Sequence, residues 1–112
     1  MATFQGIGQT TNDTATAAAN TAVVITYAAK SYGRHAIASI TAAYSAAPTG
    51  GLIKVEDGAG TTVFQAQITA GGPTPLVFQF PMVMSENKAC VITLAAGGGT
   101  VVGMLNVQHY AA

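Results

Sequence analysis

Charge is what this sequence has least of. Eight of its 112 residues are charged: Lys30, Arg34, Lys54 and Lys88 against Asp13, Glu56, Asp57 and Glu86, for a net charge of zero. That is 7% of the chain, where a typical soluble domain is near 25% charged. Neutralising nucleic-acid phosphates takes a cluster of Lys and Arg, and four scattered cations are not one, so nucleic acid is excluded as a partner. Intrinsic disorder is excluded by the same composition, because disordered chains are polar and highly charged. Tryptophan is absent, and Cys90 is the only cysteine. No disulfide can form within the chain and no thiolate metal site can be assembled, so Cys90 reads as a small buried residue on a strand. No window reaches the roughly 18 consecutive apolar residues of a membrane span. The best attempt, Ala15 to Ala29, is broken by Thr16, Asn20, Thr21 and Thr26, and no membrane partner is expected. The opening Met1-Ala2-Thr3-Phe4-Gln5-Gly6 lacks the basic and apolar regions of a secretory signal. The chain is therefore expected to be soluble, made in the cytoplasm, and to leave it only as part of a particle.

What the sequence does have is apolar content, 50% of its residues, and an abundance of small ones: 22 Ala, 15 Thr and 13 Gly. A chain of this length makes one domain with a modest core. The alanines are interleaved with Thr, Val and Ile, which favour pleated surfaces over helix. Turn signals recur at short intervals: Ser31-Tyr32-Gly33, Pro48-Thr49-Gly50-Gly51, Asp57-Gly58-Ala59-Gly60, Gly71-Gly72-Pro73, Ser85-Glu86-Asn87 and Gly97-Gly98-Gly99. That rhythm predicts an all-β sandwich or barrel.

The runs between turns alternate with the period of two that lines up one sheet face. Ile53 and Val55 oppose Lys54 and Glu56; Phe64, Ala66 and Ile68 oppose Gln65 and Gln67. Leu76, Phe78 and Phe80 share a side, as do Cys90, Ile92 and Leu94. Asp57-Gly58-Ala59-Gly60 reads as a tight hairpin turn with glycine supplying positive φ. Two longer segments, Gly33 to Ser45 and Thr100 to Tyr110, put apolar residues at both parities: Ile37 against Ile40, and Val101, Leu105 and Val107 against Val102 and Met104. Strands of that kind are expected to be covered on both faces, the second cover being another subunit. Residues 1–20 read as an N-terminal arm or a first edge strand, and residues 21–112 as the β-sandwich.

Candidate chemistry is thin. A nucleophile-base-acid arrangement needs a histidine oriented by a third group, and the only histidines, His35 and His109, lie in no such motif. Both read as strand-surface or interface residues. Two histidines do not make a zinc site, which takes three or four ligands. Paired carboxylates for glycoside hydrolysis would come from Asp13, Glu56, Asp57 and Glu86, but Glu56 and Asp57 are neighbours that a strand sends to opposite faces. Gly97-Gly98-Gly99-Thr100 lacks the Lys of a phosphate-binding loop and reads as a hairpin turn. Asn12-Asp13-Thr14 matches a glycosylation acceptor only by accident. Tyr27, Tyr32, Tyr44 and Tyr110 are available for stacking on a sugar or a partner, with core or subunit contact as the default. The expectation is no enzyme, no catalytic, cofactor-binding or metal residue, and no cofactor.

Several stretches together resemble a known group. They are the opening Gln9-Thr10-Thr11-Asn12-Asp13-Thr14-Ala15, the strand Ala22-Val23-Val24-Ile25-Thr26, and the strand start Gly33-Arg34-His35. The turn from Tyr44 to Gly51, the stretch Thr69 to Pro73 and the closing Gly-rich hairpin complete the set. Over nearly its whole length the chain resembles the small head decoration, or cement, proteins of tailed bacteriophages. The match is one of texture and spacing and contains no invariant chemical motif. The resemblance implies a jelly-roll-like antiparallel β-sandwich of about seven to eight strands, without catalytic residues. It implies a virion protein on the capsid exterior, partnered by the major capsid protein and by its own copies as a homotrimer or dimer. The segment from about residue 2 to 20 is the expected contact with the lattice or with a neighbour. Rival readings are a carbohydrate- or receptor-binding sandwich on a particle surface, which calls for an exposed tyrosine cluster, and a neck or tail component. A small hydrolase or isomerase is a further rival, and calls for His35 or His109 to face an acid.

Overall fold

The computed structural model describes residues 11–111, with the side chains of Gln79 and Phe80 outside that description. Eight strands follow in order: β1 (Thr11–Thr16), β2 (Val23–Tyr27), β3 (His35–Tyr44), β4 (Gly51–Asp57), β5 (Thr62–Ile68), β6 (Gly72–Val83), β7 (Cys90–Leu94) and β8 (Gly103–Ala111). They form two four-stranded sheets, β1-β8-β3-β6 and β2-β7-β4-β5, and every pairing is antiparallel. Apart from the β4–β5 hairpin, each connection crosses from one sheet to the other. That is the double Greek key of a jelly roll. The expected all-β antiparallel sandwich is present.

The alternation read in the sequence lands as expected where each strand has one apolar face. Ile53, Val55, Cys90, Ile92 and Leu94 are fully buried. Phe64 and Ala66 pack against them, while Gln65 and Gln67 are exposed. Leu76 and Phe78 pack there too; Phe80, expected alongside them, lies outside the described side chains. Tyr44, the last residue of β3, is buried in the core, and its hydroxyl donates to the Ala95 carbonyl at 2.6 Å, so the one polar atom it brings inside is satisfied. Gly51 starts β4 where a side chain has no room: an added Cβ would run into the Ile68 carbonyl oxygen and the Pro48 ring. The predicted hairpin after Asp57 is present, with Gly58 at φ 76° and Gly60 at φ 92°.

β3 corrects the sequence reading. Ile37 and Ile40 have opposite parity, yet both are fully buried in the same core. The reason is a bulge: Ile37 pairs with His109 and Ser39 with Gln108, so β3 advances two residues while β8 advances one. The extra residue, Ala38, flips the parity. β3 therefore needs no second cover for its isoleucines. In β8, Leu105 and Val107 face the core while Met104 is 38% exposed; Val101 and Val102, expected within this strand, precede it in the β7–β8 loop.

Candidate interaction surface

The charged residues are distributed unevenly over this frame. On the outer face of the β1-β8-β3-β6 sheet, register aligns three rows across all four strands. They are Thr16, Met104, Ala43 and Pro73; Thr14, Asn106, Thr41 and Pro75; and Asn12, Gln108, Ser39 and Val77. No member of any row is charged. Gln108 donates from Nε2 to Asn12 Oδ1 at 3.1 Å within the third row, and Val77 is 77% exposed. The other sheet differs: Lys54 and Glu56 stand mid-face on β4, in rows with Thr93 and Gln65 and with Val91 and Thr62.

The two ends of the sandwich differ in the same way. Loops 17–22, 45–50, 69–71 and 95–102 meet at one end and contain no Lys, Arg, Asp or Glu. They are tied by backbone bonds from Asn20 N–H to the Val101 carbonyl (2.9 Å), Ser45 N–H to that of Val102 (2.9 Å) and Thr49 N–H to that of Gly97 (2.8 Å). The opposite end carries loops 28–34, 58–61 and 84–89, with Lys30, Arg34, Glu86 and Lys88 on them and Asp57 at the edge.

At that second end lies a polar cluster that spans the two sheets. Asp13 Oδ2, on β1, accepts the Tyr27 hydroxyl of β2 at 3.0 Å and His109 Nε2–H of β8 at 2.7 Å. The Tyr27 ring stacks on His109 at 4.1 Å and tilts against His35 at 5.6 Å. His35 Nε2–H donates to the Ala28 carbonyl at 2.7 Å. Burial, and then the hydrogen bond to Asp13, push the Tyr27 hydroxyl's pKa upward, so it stays a donor at every ordinary pH. Burial likewise raises Tyr44. Cys90, free and buried, is pushed up to about 12 by burial and by the nearby Asp57 charge, which keeps its thiol protonated and unreactive.

The sequence reading left both histidines without an acid partner; the structure corrects this for His109. The pairing was invisible in the sequence because it joins residues 96 apart, through a β1–β8 register that no local pattern reports. Chemically the arrangement is a clasp: the donors of Tyr27 and His109 converge on one carboxylate oxygen. Among the described residues no group of three or more His, Cys, Asp or Glu side chains is placed to hold a metal ion. The other carboxylates are held apart. Glu56 Oε2 accepts Gly60 N–H at 2.9 Å, and Asp57 accepts Ser85 N–H at 3.0 Å and its Oγ–H at 2.6 Å.

The tyrosines are dispersed rather than clustered. Tyr44 is in the core, Tyr27 bridges the sheets, Tyr32 projects from the β2–β3 loop and Tyr110 lies near the end of β8. Among the described residues the ring pairs are Tyr27–His35, Tyr27–His109 and Phe64–Phe78, with no tyrosine pair. The exposed tyrosine platform that sugar binding calls for is not assembled there.

Over the described residues, fold and surface define a jelly-roll β-sandwich of eight strands with one uncharged sheet face and one uncharged end. Among solved structures the chain is similar to one described as "Carbohydrate-Binding Module CBM36 in complex with calcium and xylotriose". The identity is 22%, over 87% of this chain and 78% of that one, with a TM-score of 0.44. No family model matches the chain, and no curated protein matches it.

Proposed function

We propose that this chain is a structural, non-enzymatic virion protein that binds the outer surface of a phage capsid and stabilises it, associating with its own copies as it does so. The observation that supports this reading is the uncharged face of the β1-β8-β3-β6 sheet. Burying Thr, Asn, Gln, Ala, Pro and Val against a like surface strips water from no ion, so the large desolvation penalty of buried charge does not arise. An isolated soluble domain gains solubility from charge; a protein that spends its working life packed on a lattice does not depend on it. A lattice also presents many copies together, so that individually weak contacts accumulate. A trimer is the assembly that the resemblance to decoration proteins suggests.

Stabilisation follows by linkage: a protein that binds the mature shell better than the disrupted one shifts the balance towards the former. The test uses phage particles lacking this protein, with purified protein added back, and reads the temperature at which DNA is released. Release at a higher temperature on re-addition is the expected result; identical release temperatures overturn the reading. Electron microscopy of the same particles places the added density, and a ring at the neck or tail in place of density over the shell would move the protein to that role.

A further inference from the structure

One prominent side chain at the charged end contributes nothing to the core. Tyr32, in the loop between β2 and β3, is 92% exposed, and its φ is 58°. An L-residue in that left-handed region carries backbone strain that glycine would not. Strain of this kind persists only where the surroundings enforce it, and it concentrates at sites of function. The surroundings here do enforce it. Tyr32 N–H donates to Asn87 Oδ1 at 3.1 Å, and Asn87, itself at φ 61°, returns its N–H to the Gly33 carbonyl at 3.1 Å. Gly33 N–H closes the turn on the Lys30 carbonyl at 3.2 Å.

The second loop is anchored in turn. Met84 N–H donates to the His35 carbonyl at 2.7 Å, and Ser85 is held by the Asp57 carboxylate through both its N–H and its hydroxyl. The phenol ring therefore stands on a braced platform made by two loops. Those loops also carry Lys30, Arg34 and Lys88, three of the chain's four cations. Their carboxylates are Glu86, and Asp57 at the border, which is committed to Ser85. Among the described residues the one salt bridge is that of His109 and Asp13, and none pairs with these three cations. β1 also begins, and β8 ends, at this end of the sandwich.

We infer that Tyr32 is the anchor by which this end docks on a protein partner with an acidic surface, the phenol entering a pocket while Lys30, Arg34 and Lys88 meet carboxylates around it. An exposed tyrosine on a braced backbone has only two side-chain torsions to fix on burial, and tyrosine is among the residue types that dominate binding interfaces. A cationic rim speeds and orients encounter with an acidic patch. The inference rests on the capsid-binding reading and names the end that faces the shell, leaving the uncharged sheet for contact with like copies.

The experiment adds purified variants to particles lacking the protein and measures occupancy by quantitative gel. Tyr32→Gly relieves the left-handed strain, so its melting temperature should equal or exceed that of the wild type while its apparent affinity falls about tenfold or more. Tyr32→Phe should keep most of the affinity. Lys30→Glu combined with Lys88→Glu should weaken binding, and wild-type affinity should fall as salt rises. If the wild type binds and Tyr32→Gly binds equally well, the anchor assignment is wrong and the capsid reading survives. Salt-independent binding removes the acidic partner. A wild type that does not bind at all overturns the capsid reading and this inference together.

Discussion

Asp13 and Tyr27 belong to different sheets, and the 3.0 Å bond between them ties β1 to β2, the two edge strands on one side of the sandwich. β1 is Thr-Asn-Asp-Thr-Ala-Thr, with Ala15 its only apolar residue, so packing alone holds it weakly. The carboxylate supplies the rest by accepting Tyr27 and His109 together. Hydrogen bonds to a charged group contribute about 1.5–3 kcal/mol when buried, and Asp13 is partly exposed, which reduces that through solvent screening. Asp13→Ala is expected to lower stability by about 1–2 kcal/mol, with Tyr27→Phe costing less. Amide hydrogen exchange should locate the loosening in Thr11–Thr16; uniform loss of protection across both sheets would argue against a local clasp. Because Thr11–Thr16 carry the clasp, a truncation through residue 20 removes an edge strand as well as the arm. Residues 2–10 of that expected lattice contact lie outside the described residues, and the informative deletion ends before Thr11.

The bulge in β3 gives a sharper test. Side chains on a strand alternate, so changing its register by one residue exchanges its faces. Deleting Ala38 removes the extra residue and sets Ile37 and Ile40 two positions apart, so a regular ladder with His109, Gln108 and Val107 keeps both on the core face. Truncating either isoleucine to alanine instead empties a buried position and costs about 2–5 kcal/mol. The deletion should therefore keep cooperative unfolding and lose less stability than Ile37→Ala or Ile40→Ala. Loss of the cooperative melt in the deletion variant would show that the bulge does more than bring the two isoleucines to one face.

The same strand shows where the sequence stops being legible. Ile53, Val55, Ile92 and Leu94 announce their faces because alternation is a local property, and each sits where its parity puts it. Ile37 and Ile40 do not, because a bulge is created by pairing with β8, some 70 positions away in the chain. Asp13 and His109 fail for the same reason. The poverty of charge was visible at once, but its segregation to one end and one sheet emerges only when register sets Thr14, Asn106, Thr41 and Pro75 in a row. Tyr32 was readable as a turn residue; its exposure and its brace to Asn87 depend on two loops meeting.

Cys90 predicts a pH dependence. Burial raises its pKa from 9.0 to about 12 in the folded protein, whereas in the unfolded chain it titrates near its ordinary value. The unfolded state thus releases a proton that the native state keeps, so this contribution to stability is complete below pH 9 and falls as pH rises from 9 towards 12. Tyr27 and Tyr44, raised as well, add to the loss above their ordinary 10.0. Denaturant midpoints should decline as pH rises above 9. Cys90→Ala should cost about 1 kcal/mol at neutral pH yet decline less between pH 9 and 10. Parallel declines for both proteins would remove Cys90 as the cause. At neutral pH the native thiol should resist an aromatic disulfide reagent until denaturant is added.

The uncharged sheet face carries the last prediction. Thr41 sits mid-face, between Asn106 and Pro75, and a lysine there would place a cation at the centre of any contact with a second copy. Exposed substitutions of this kind usually change stability by within about 0.5 kcal/mol, so Thr41→Lys should fold normally. Two apposed sheet faces would each carry the new charge, and the desolvation and repulsion that follow oppose association. Sedimentation analysis should show the wild type as an oligomer, Thr41→Lys as a monomer, and Gln65→Lys, on the sheet that already bears Lys54 and Glu56, unchanged from wild type. An oligomer that survives Thr41→Lys but dissociates with Gln65→Lys would transfer the self-contact to the other sheet. A wild type that is monomeric at every concentration would remove self-association through this face altogether.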